Sequence, residues 1–119
     1  MSSRIQLKRV YDKASHEDGM RILVERLWPR GVTKARAKID LWDRDIAPSA
    51  ELRKWYGHDP VKWEEFKERY WDELRHNQPV VESLRAFMKK GDVTFVYAAH
   101  DENRNGALAL RDYLTQNKS

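Results

Sequence analysis

Two arginines and a tryptophan follow directly after a short apolar run in the first third of the chain. The run is Ile22-Leu23-Val24, and it leads to Arg26, Trp28 and Arg30 before the turn residue Gly31. An arginine offers paired N–H donors that clamp a carboxylate or a phosphate better than a lysine does, and a tryptophan offers a flat apolar wall. These residues predict a binding site for a small anionic ligand that carries a phosphate or a carboxylate.

A second apolar run ends in another polar segment. Residues 93–99 precede the loop His100-Asp101-Glu102-Asn103-Arg104-Asn105. Ligands of open α/β sheets bind at the carboxyl ends of the strands, so if the two runs form neighbouring parallel strands, both polar loops lie at the same edge of the sheet. Helices that begin near Thr33 and near Asn103 or Asn105 would add backbone N–H groups for an anion there.

A purely structural interpretation of the same residues stays open. Arg26 can pair with Asp101 or Glu102 and tie the two loops together, and Trp28 can fill the core. Under that interpretation the segment stabilises the fold and binds no ligand.

The histidines define the acid/base chemistry that the chain can offer. His100 beside Asp101, at the end of an apolar run, is the best candidate for a general acid or base. His58 beside Asp59 is the second, although Asp59 also fits as a helix cap. We therefore take His58, His100 and Asp101 as the catalytic candidates, and whether the chain is an enzyme stays open.

Several kinds of chemistry are disfavoured by what the chain lacks. The four histidines show neither HxH nor HxxxH spacing and the chain contains no cysteine, so we expect no metal site, disulfide or thiol chemistry. Neither a G-x-S-x-G elbow nor a glycine-rich phosphate loop is present. We expect no cofactor, and the residues identify no reaction.

Hydrophobic periodicity and capping residues predict the elements that must position these side chains. Apolar runs predict strands near 5–11, 20–27 and 93–99, the last of them central and covered on both faces. One-sided apolar spacing, bounded by proline and glycine, predicts helices near 34–39, 50–56, 60–76, 80–90 and 105–116. The prediction is a single α/β domain over residues 1–119, with a small sheet of mostly parallel strands, about three or more in number, flanked by helices. Only about eight residues join the first two strands, so parallel and antiparallel pairing both stay open.

Length and composition agree with one globular domain. The chain has 119 residues, of which 40% are hydrophobic and 35% charged, a balance typical of a folded domain with a single core. No apolar run reaches the roughly 18 residues that a membrane span needs, and the first residues lead into no signal-peptide core. We therefore expect a cytoplasmic protein that does not enter a membrane, and the oligomeric state is not determined.

Positive charge is concentrated in the first half of the chain. The first fifty residues hold 11 Lys and Arg against 7 Asp and Glu, and no acid interrupts the basic run 26–38. Such a field attracts anions, so a nucleic-acid-binding accessory protein is the alternative hypothesis. It is less favoured because no helix-turn-helix or RNA-binding signature accompanies the run. A third hypothesis is a protein-interaction module without catalysis, which exposure of Trp42, Trp55 and Trp71 would mark.

Several blocks of the sequence recur together in one known family. They are Arg21-Ile22-Leu23-Val24-Glu25-Arg26-Leu27-Trp28-Pro29-Arg30-Gly31, Ala47-Pro48-Ser49, Leu52-Arg53-Lys54-Trp55-Tyr56-Gly57-His58-Asp59-Pro60, Glu65-Phe66, Arg69-Tyr70 and Tyr97-Ala98-Ala99 with Asp101-Glu102 and Asn105. In these blocks the chain resembles the short, YeaO-like branch of domain-of-unknown-function family 488. The resemblance covers nearly the whole chain and implies a compact α/β domain with no established activity.

The resemblance also implies a set of polar positions. They are Arg26, Trp28, Arg30, Lys34, Ser49, Arg53, His58, Asp59, Arg69, Asp101 and Asn105. From this set we predict the ligand-binding residues Arg26, Trp28, Arg30, Lys34, Arg53, Arg69 and Asn105. Two positions depart from the family pattern: Glu25 replaces the aspartate usual before the first arginine, and Gly106 replaces a histidine that often follows the asparagine.

Overall fold

A four-stranded parallel sheet organises the domain. The computed structural model describes residues 4–116, so residues 1–3 and 117–119 of the predicted domain lie outside the described part. The strands are β1 (Ile5–Arg9), β2 (Met20–Leu23), β3 (Leu41–Trp42) and β4 (Val93–Tyr97). Their order is β1-β4-β2-β3, and every neighbouring pair is parallel. All four carboxyl ends therefore meet at one edge, and the predicted α/β class is confirmed.

Strand β4 is the centre of the sheet. Its residue Phe95 pairs with Leu7 on one side and with Ile22 on the other, and all five residues of the strand are buried. The β-branched and aromatic side chains of Val-Thr-Phe-Val-Tyr suit a strand covered on both faces, so the predicted central position is confirmed. Strands β1 and β2 do not pair with each other, because β4 lies between them and runs parallel to both.

Within the described residues, five helices surround the sheet close to their predicted positions. They are α1 (Lys34–Ala37), α2 (Ala50–Tyr56), α3 (Trp63–Arg75), α4 (Gln78–Met88) and α5 (Gly106–Gln116), with short 3-10 turns at His16–Asp18 and Pro60–Lys62. Within residues 4–116, no helix combines the length and the apolar character that crossing a membrane requires.

The structure differs from the predicted elements at several places. Strand β1 ends at Arg9 and not near 11. Strand β2 ends at Leu23 and not near 27, since the carbonyl oxygen of Glu25 accepts from the Trp42 side chain and not from a neighbouring strand. The predicted helix near 60–76 is divided, because Asp59 caps a 3-10 turn at Pro60–Lys62 and the α-helix begins only at Trp63. Helix α1 ends before 39, because Lys38 adopts a left-handed conformation with φ 50°. Strand β3 has no counterpart among the predicted strands, since two residues carry no periodic signal.

The two faces of the sheet bury different clusters. On one face, the side chains of Ile22 and Phe95 pack against helices α2–α5, including the aromatic side chains of Trp63, Phe66 and Tyr70 on α3. On the other face, Leu23 and Val96 pack with Ala37 of α1. This second face is covered by the 28–42 segment, so the basic run and the four larger helices lie on opposite sides of the sheet.

The tryptophans proposed as interface markers are only partly accessible. Trp42, Trp55 and Trp71 are each half-buried. The indole N–H of Trp42 donates to the carbonyl oxygen of Glu25 at 2.7 Å, and that of Trp71 donates to the carbonyl oxygen of Ala109 at 2.9 Å. These bonds anchor two of the three rings in the fold, which does not favour the interaction-module hypothesis.

Candidate functional site

A cavity of about 730 Å³ opens at the carboxyl edge of the sheet. It is walled by the residues just beyond β2 and β4, by the second half of α2 and by the start of α5. The lining residues are Val24, Glu25, Pro48, Arg53, Lys54, Tyr56, His58, Phe66, Ala98, Ala99, His100, Asp101, Arg104, Asn105 and Gly106. This volume is in the range of small-molecule sites, and the position is the one at which open parallel sheets bind ligands.

Glu25 is held in the cavity wall at both its side chain and its backbone. Its Oε2 accepts a hydrogen bond from the amide of Ala98 at 3.0 Å, and its carbonyl oxygen accepts one from Trp42. Burial raises the pKa of Glu25 above its ordinary value, although the Ala98 amide and the positive charges of Arg53 and His58 partly oppose that rise. The carboxyl is thus a rigid group that is costly to ionise.

Arg53 lies on α2 and carries an unsatisfied donor. Ser49 caps this helix, accepting from the amide of Leu52 at 3.1 Å, and the buried Leu52 side chain fixes the helix against the core. The Nε of Arg53 is buried and has no hydrogen-bond partner within residues 4–116. Arg53 makes no ion pair there either, although its charge lowers the pKa of Glu25.

The loop before α5 is organised by its own side chains. Oδ1 of Asp101 accepts from the amides of Asn103 at 2.9 Å and Arg104 at 3.1 Å, and Oδ2 lies 3.3 Å from the Arg104 guanidinium. The hydrogen bond from the Asn103 amide is the main reason why the pKa of Asp101 is lowered. Asn105, which is buried, accepts from the amide of Leu108 at 2.8 Å and so caps α5.

Two exposed histidines stand at the rim of the cavity. His58 adopts a left-handed conformation with φ 58°, and its ring centroid lies 6.2 Å from that of Tyr56. Such a conformation costs a non-glycine residue about 1–3 kcal/mol. His100 Nδ1 lies 3.4 Å from the guanidinium of Arg9, whose Nε also donates to the carbonyl oxygen of Ala99. Both histidines are among the residues that line the cavity.

The first arginine of the predicted anion clamp is engaged elsewhere. Arg26 donates to the carbonyl oxygens of Pro48 at 3.2 Å and Ala47 at 3.0 Å, so it pairs with neither Asp101 nor Glu102. It fixes the connection that brings Pro48 into the cavity wall and does not itself line the cavity.

The remaining predicted residues lie outside the cavity. Trp28 donates to the carbonyl oxygen of Val32 at 2.7 Å and packs in the smaller core cluster. Arg30 and Lys34 are exposed on the same side of the sheet. Arg69 is on α3, where its Nε donates to Glu65 at 2.8 Å and its guanidinium lies over the ring of Trp55. The structure thus brings together His58, His100, Asp101, Arg53 and Asn105, but not Arg26, Trp28, Arg30, Lys34 or Arg69.

Sequence reasoning missed several residues of the cavity wall. Glu25, Lys54, Tyr56 and Arg104 line it but were not predicted as site residues. A signal exists for Glu25, which follows immediately after the apolar run Ile22-Leu23-Val24. In residues 4–116 no three His, Cys, Asp or Glu side chains are grouped so that they could hold a metal ion.

Comparison with known proteins identifies the family of this chain. Residues 4–119 match the family model described as "Inactive DUF488-N3 subclade". The chain belongs to the DUF488 family. The resemblance stated from the sequence blocks is thereby confirmed.

Bacterial relatives match this member of the DUF488 family along almost its whole length. The uncharacterized protein YeaO of Escherichia coli is 44% identical over 110 residues, which cover 92% of this chain and 96% of YeaO. Uncharacterized proteins of Mycobacterium bovis and Mycobacterium tuberculosis are each 38% identical over 112 residues, covering 94% of both chains in each comparison. No solved structure matches the chain.

Proposed function

We propose that the protein binds a small anionic molecule, one that carries a phosphate or a carboxylate, in the strand-end cavity. The observation that carries this proposal is Arg53, a residue of the cavity wall whose Nε is buried without a partner in the described part of the chain. A buried donor that is left unpaired costs about 1–3 kcal/mol. An oxyanion in the cavity would accept from the Arg53 guanidinium, which forms no hydrogen bond or ion pair in the described part of the chain, and hydrogen bonds between charged groups are the strong ones.

The balance of charge around the cavity supports the same proposal. Five lining side chains carry or can gain a positive charge, and two are carboxylates: Arg53, Lys54, His58, His100 and Arg104 against Glu25 and Asp101. One of the two carboxylates, that of Asp101, is already paired with Arg104. An incoming anion therefore meets a net positive wall, which favours binding.

Binding without turnover fits the cavity better than catalysis does. The family model that matches the chain is described as inactive, and among the described residues no serine, threonine or cysteine lines the cavity. The Asp101 carboxylate is occupied by its own loop. We therefore assign the candidates His58 and His100 a role as positive charges when protonated, and not as proton carriers.

Thermal unfolding with added anions tests this function. Inorganic phosphate, citrate and glutarate are added separately to the purified chain, and the melting temperature is followed. A ligand at 100 times its dissociation constant stabilises the folded state by about 2.7 kcal/mol. The proposal is overturned if none of these anions, nor any compound of a wider phosphate and carboxylate panel, raises the melting temperature.

Paired arginine variants locate the binding. Arg53→Met removes the unpaired guanidinium, and it should weaken anion binding roughly 10- to 100-fold because a hydrogen bond to a charged group contributes about 1.5–3 kcal/mol. Arg69→Met removes a guanidinium that lies outside the cavity and should leave binding unchanged. Equal binding by the wild type and Arg53→Met would place the anion elsewhere.

Nucleic-acid binding is the second candidate function. It is supported by the exposure of Arg30, Lys34, Arg36 and Lys38, none of which forms an ion pair within residues 4–116. The test is a mobility shift with duplex DNA and with single-stranded RNA at increasing salt, where log affinity should fall with a slope of about −0.9 per phosphate contacted on duplex DNA. No shift at low salt, or a triple alanine variant at 34, 36 and 38 that binds as well as wild type, rules this candidate out.

A further inference from the structure

We propose that the cavity selects zwitterionic ligands, small molecules in which an ammonium group lies close to a carboxylate or a phosphate. This inference rests on the proposed function and specifies its ligand class. Its basis is a pair of opposite charges, Glu25 and Arg53, that line the same cavity without forming an ion pair with each other.

Each member of this pair keeps unused hydrogen-bonding capacity. The Oε2 of Glu25 accepts from Ala98, whereas its Oε1 has no partner in the described part of the chain. The Nε of Arg53 is a buried donor without an acceptor. Both residues line one cavity and lie beyond ion-pair distance of each other, so a ligand can offer a donor to Glu25 and an acceptor to Arg53.

The two groups are held in place by different parts of the fold. Glu25 is anchored through Ala98 and Trp42 to the ends of β4 and β3. Arg53 is carried by α2, which is capped by Ser49. Since the Glu25 carboxyl and the helix that carries Arg53 are fixed before a ligand arrives, a bridging molecule does not have to order these elements on binding, and such preorganisation favours affinity.

A plain anion fits this pair less well than a zwitterion. The charge of a plain anion is attracted by Arg53 but repelled by the Glu25 carboxylate, which burial has already partly desolvated. An ammonium group on the same ligand replaces that repulsion with a charge-assisted hydrogen bond to Oε1. The apolar part of the wall, which includes Val24, Tyr56 and Phe66, can contact the carbon frame between the two charges.

The test compares ligands that differ mainly in the ammonium group. The first pair is L-glutamate and glutarate, and the second is O-phosphoethanolamine and ethyl phosphate, with affinities measured by isothermal titration calorimetry near neutral pH. For the wild type we expect the zwitterion of each pair to bind at least about tenfold tighter, the effect of one hydrogen bond to a charged group.

Glu25→Gln then separates the ligand classes by the sign of its effect. The variant keeps an oxygen for the Ala98 amide and loses the negative charge, so zwitterions should bind about tenfold more weakly and plain anions more tightly. Glu102→Gln removes the same charge from an exposed residue of the neighbouring loop that does not line the cavity, and it should change neither class.

The outcomes distinguish this inference from the function on which it rests. If plain anions bind as tightly as zwitterions, or if Glu25→Gln shifts both classes in the same direction, selection of zwitterions is wrong while anion binding stands. If none of the four compounds binds and the wider anion panel also fails, both proposals are overturned.

Discussion

The amide of Ala98 donates a hydrogen bond to the carboxylate of Glu25 at 3.0 Å. Ala98 is the first residue beyond β4 and Glu25 the second beyond β2, so the bond joins the ends of two neighbouring parallel strands. It also holds a carboxylate where burial raises its pKa. A charge kept at an energetic cost beside a cavity is typical of a binding site, where function and stability compete.

Glu25→Gln should therefore stabilise the ligand-free protein at neutral pH. Because the folded state raises the pKa of Glu25, the contribution of this group to stability is present at low pH and is lost as the pH rises through the folded pKa. Glutamine does not ionise and avoids that loss. We expect the melting temperature of Glu25→Gln to exceed that of the wild type at pH 7, with the difference vanishing below the unfolded pKa of about 4.3. A lower melting temperature for the variant at pH 7 would contradict this account.

The buried ion pair of Asp18 and Arg21 should behave in the opposite way. The Asp18 carboxylate lies 2.6 Å from the Arg21 guanidinium and 2.8 Å from the ammonium of Lys8. Burial alone would raise the pKa of Asp18, but hydrogen bonds from Lys8, Ser15 and Arg21 outweigh it and hold the pKa below its ordinary value. The ionised Asp18 therefore contributes to stability at pH values above about 3.9, the pKa of an aspartate in the unfolded chain. That contribution is lost as the pH falls through the pKa of Asp18 in the folded state.

Asp18→Asn should consequently cost about 3–5 kcal/mol near neutral pH, because it leaves the buried Arg21 charge without its counter-ion. Urea unfolding at pH 7 measures this loss, and the gap to wild type should narrow at pH values below about 4. The matched control is Asp72→Asn, which alters an ion pair with Arg75 whose side chains are both more than half exposed. That change should cost less than about 1 kcal/mol, and equal losses for the two variants would refute the argument.

Arg26 offers a test of whether a predicted binding residue is structural. Its guanidinium donates to the carbonyl oxygens of Ala47 and Pro48 and does not line the cavity. Arg26→Ala leaves both carbonyls without this donor, so we expect a loss of about 1–3 kcal/mol in the free energy of unfolding. Because the ligand is not contacted, anion affinity measured well below the melting temperature should change by less than about threefold. A tenfold loss of affinity in a fully folded variant would assign Arg26 to the binding site.

The contrast between Arg26 and Arg53 shows what the sequence could predict. The edge of the sheet follows from patterns, because His100, Asp101 and Asn105 come directly after an apolar run that only a buried strand explains. The sequence patterns do not predict which arginine faces the cavity. Arg26 is engaged by the 43–49 connection, whose path carries no periodic signal, and Arg53 reaches the cavity only because α2 packs against α3.

Two further features that the sequence did not predict also arise from long-range packing. The position of β4 between β1 and β2 is set by tertiary pairing and not by the short link between those strands. Arg69 pairs with Glu65 on its own helix and stacks on Trp55, which draws it away from the sheet edge. Local patterns fix the elements, whereas long-range packing decides which face of an element meets the cavity.

Gly19 tests the packing at the opposite end of the sheet. It has φ 64°, and a Cβ atom placed on it would lie 2.3 Å from the carbonyl oxygen of Asp92. That oxygen also accepts from the amide of Met20 at 3.0 Å, at the start of the pairing between β2 and β4. Alanine at this position must therefore displace backbone atoms, and we expect Gly19→Ala to cost more than about 2 kcal/mol in urea unfolding.

Gly31→Ala is the control that separates this clash from backbone strain. Gly31 also has a positive φ, 77°, but a Cβ atom there would meet nothing within 4 Å. The Gly31→Ala variant should therefore lose only about 1–2 kcal/mol in the free energy of unfolding, the cost of a positive φ for alanine. Both variants carry the penalty of a positive φ, so the additional loss in Gly19→Ala reports the contact with Asp92 together with the ψ of −140° at Gly19. If both variants lose the same stability, the strand start tolerates the added methyl group and the close approach of Gly19 to Asp92 does not constrain the fold.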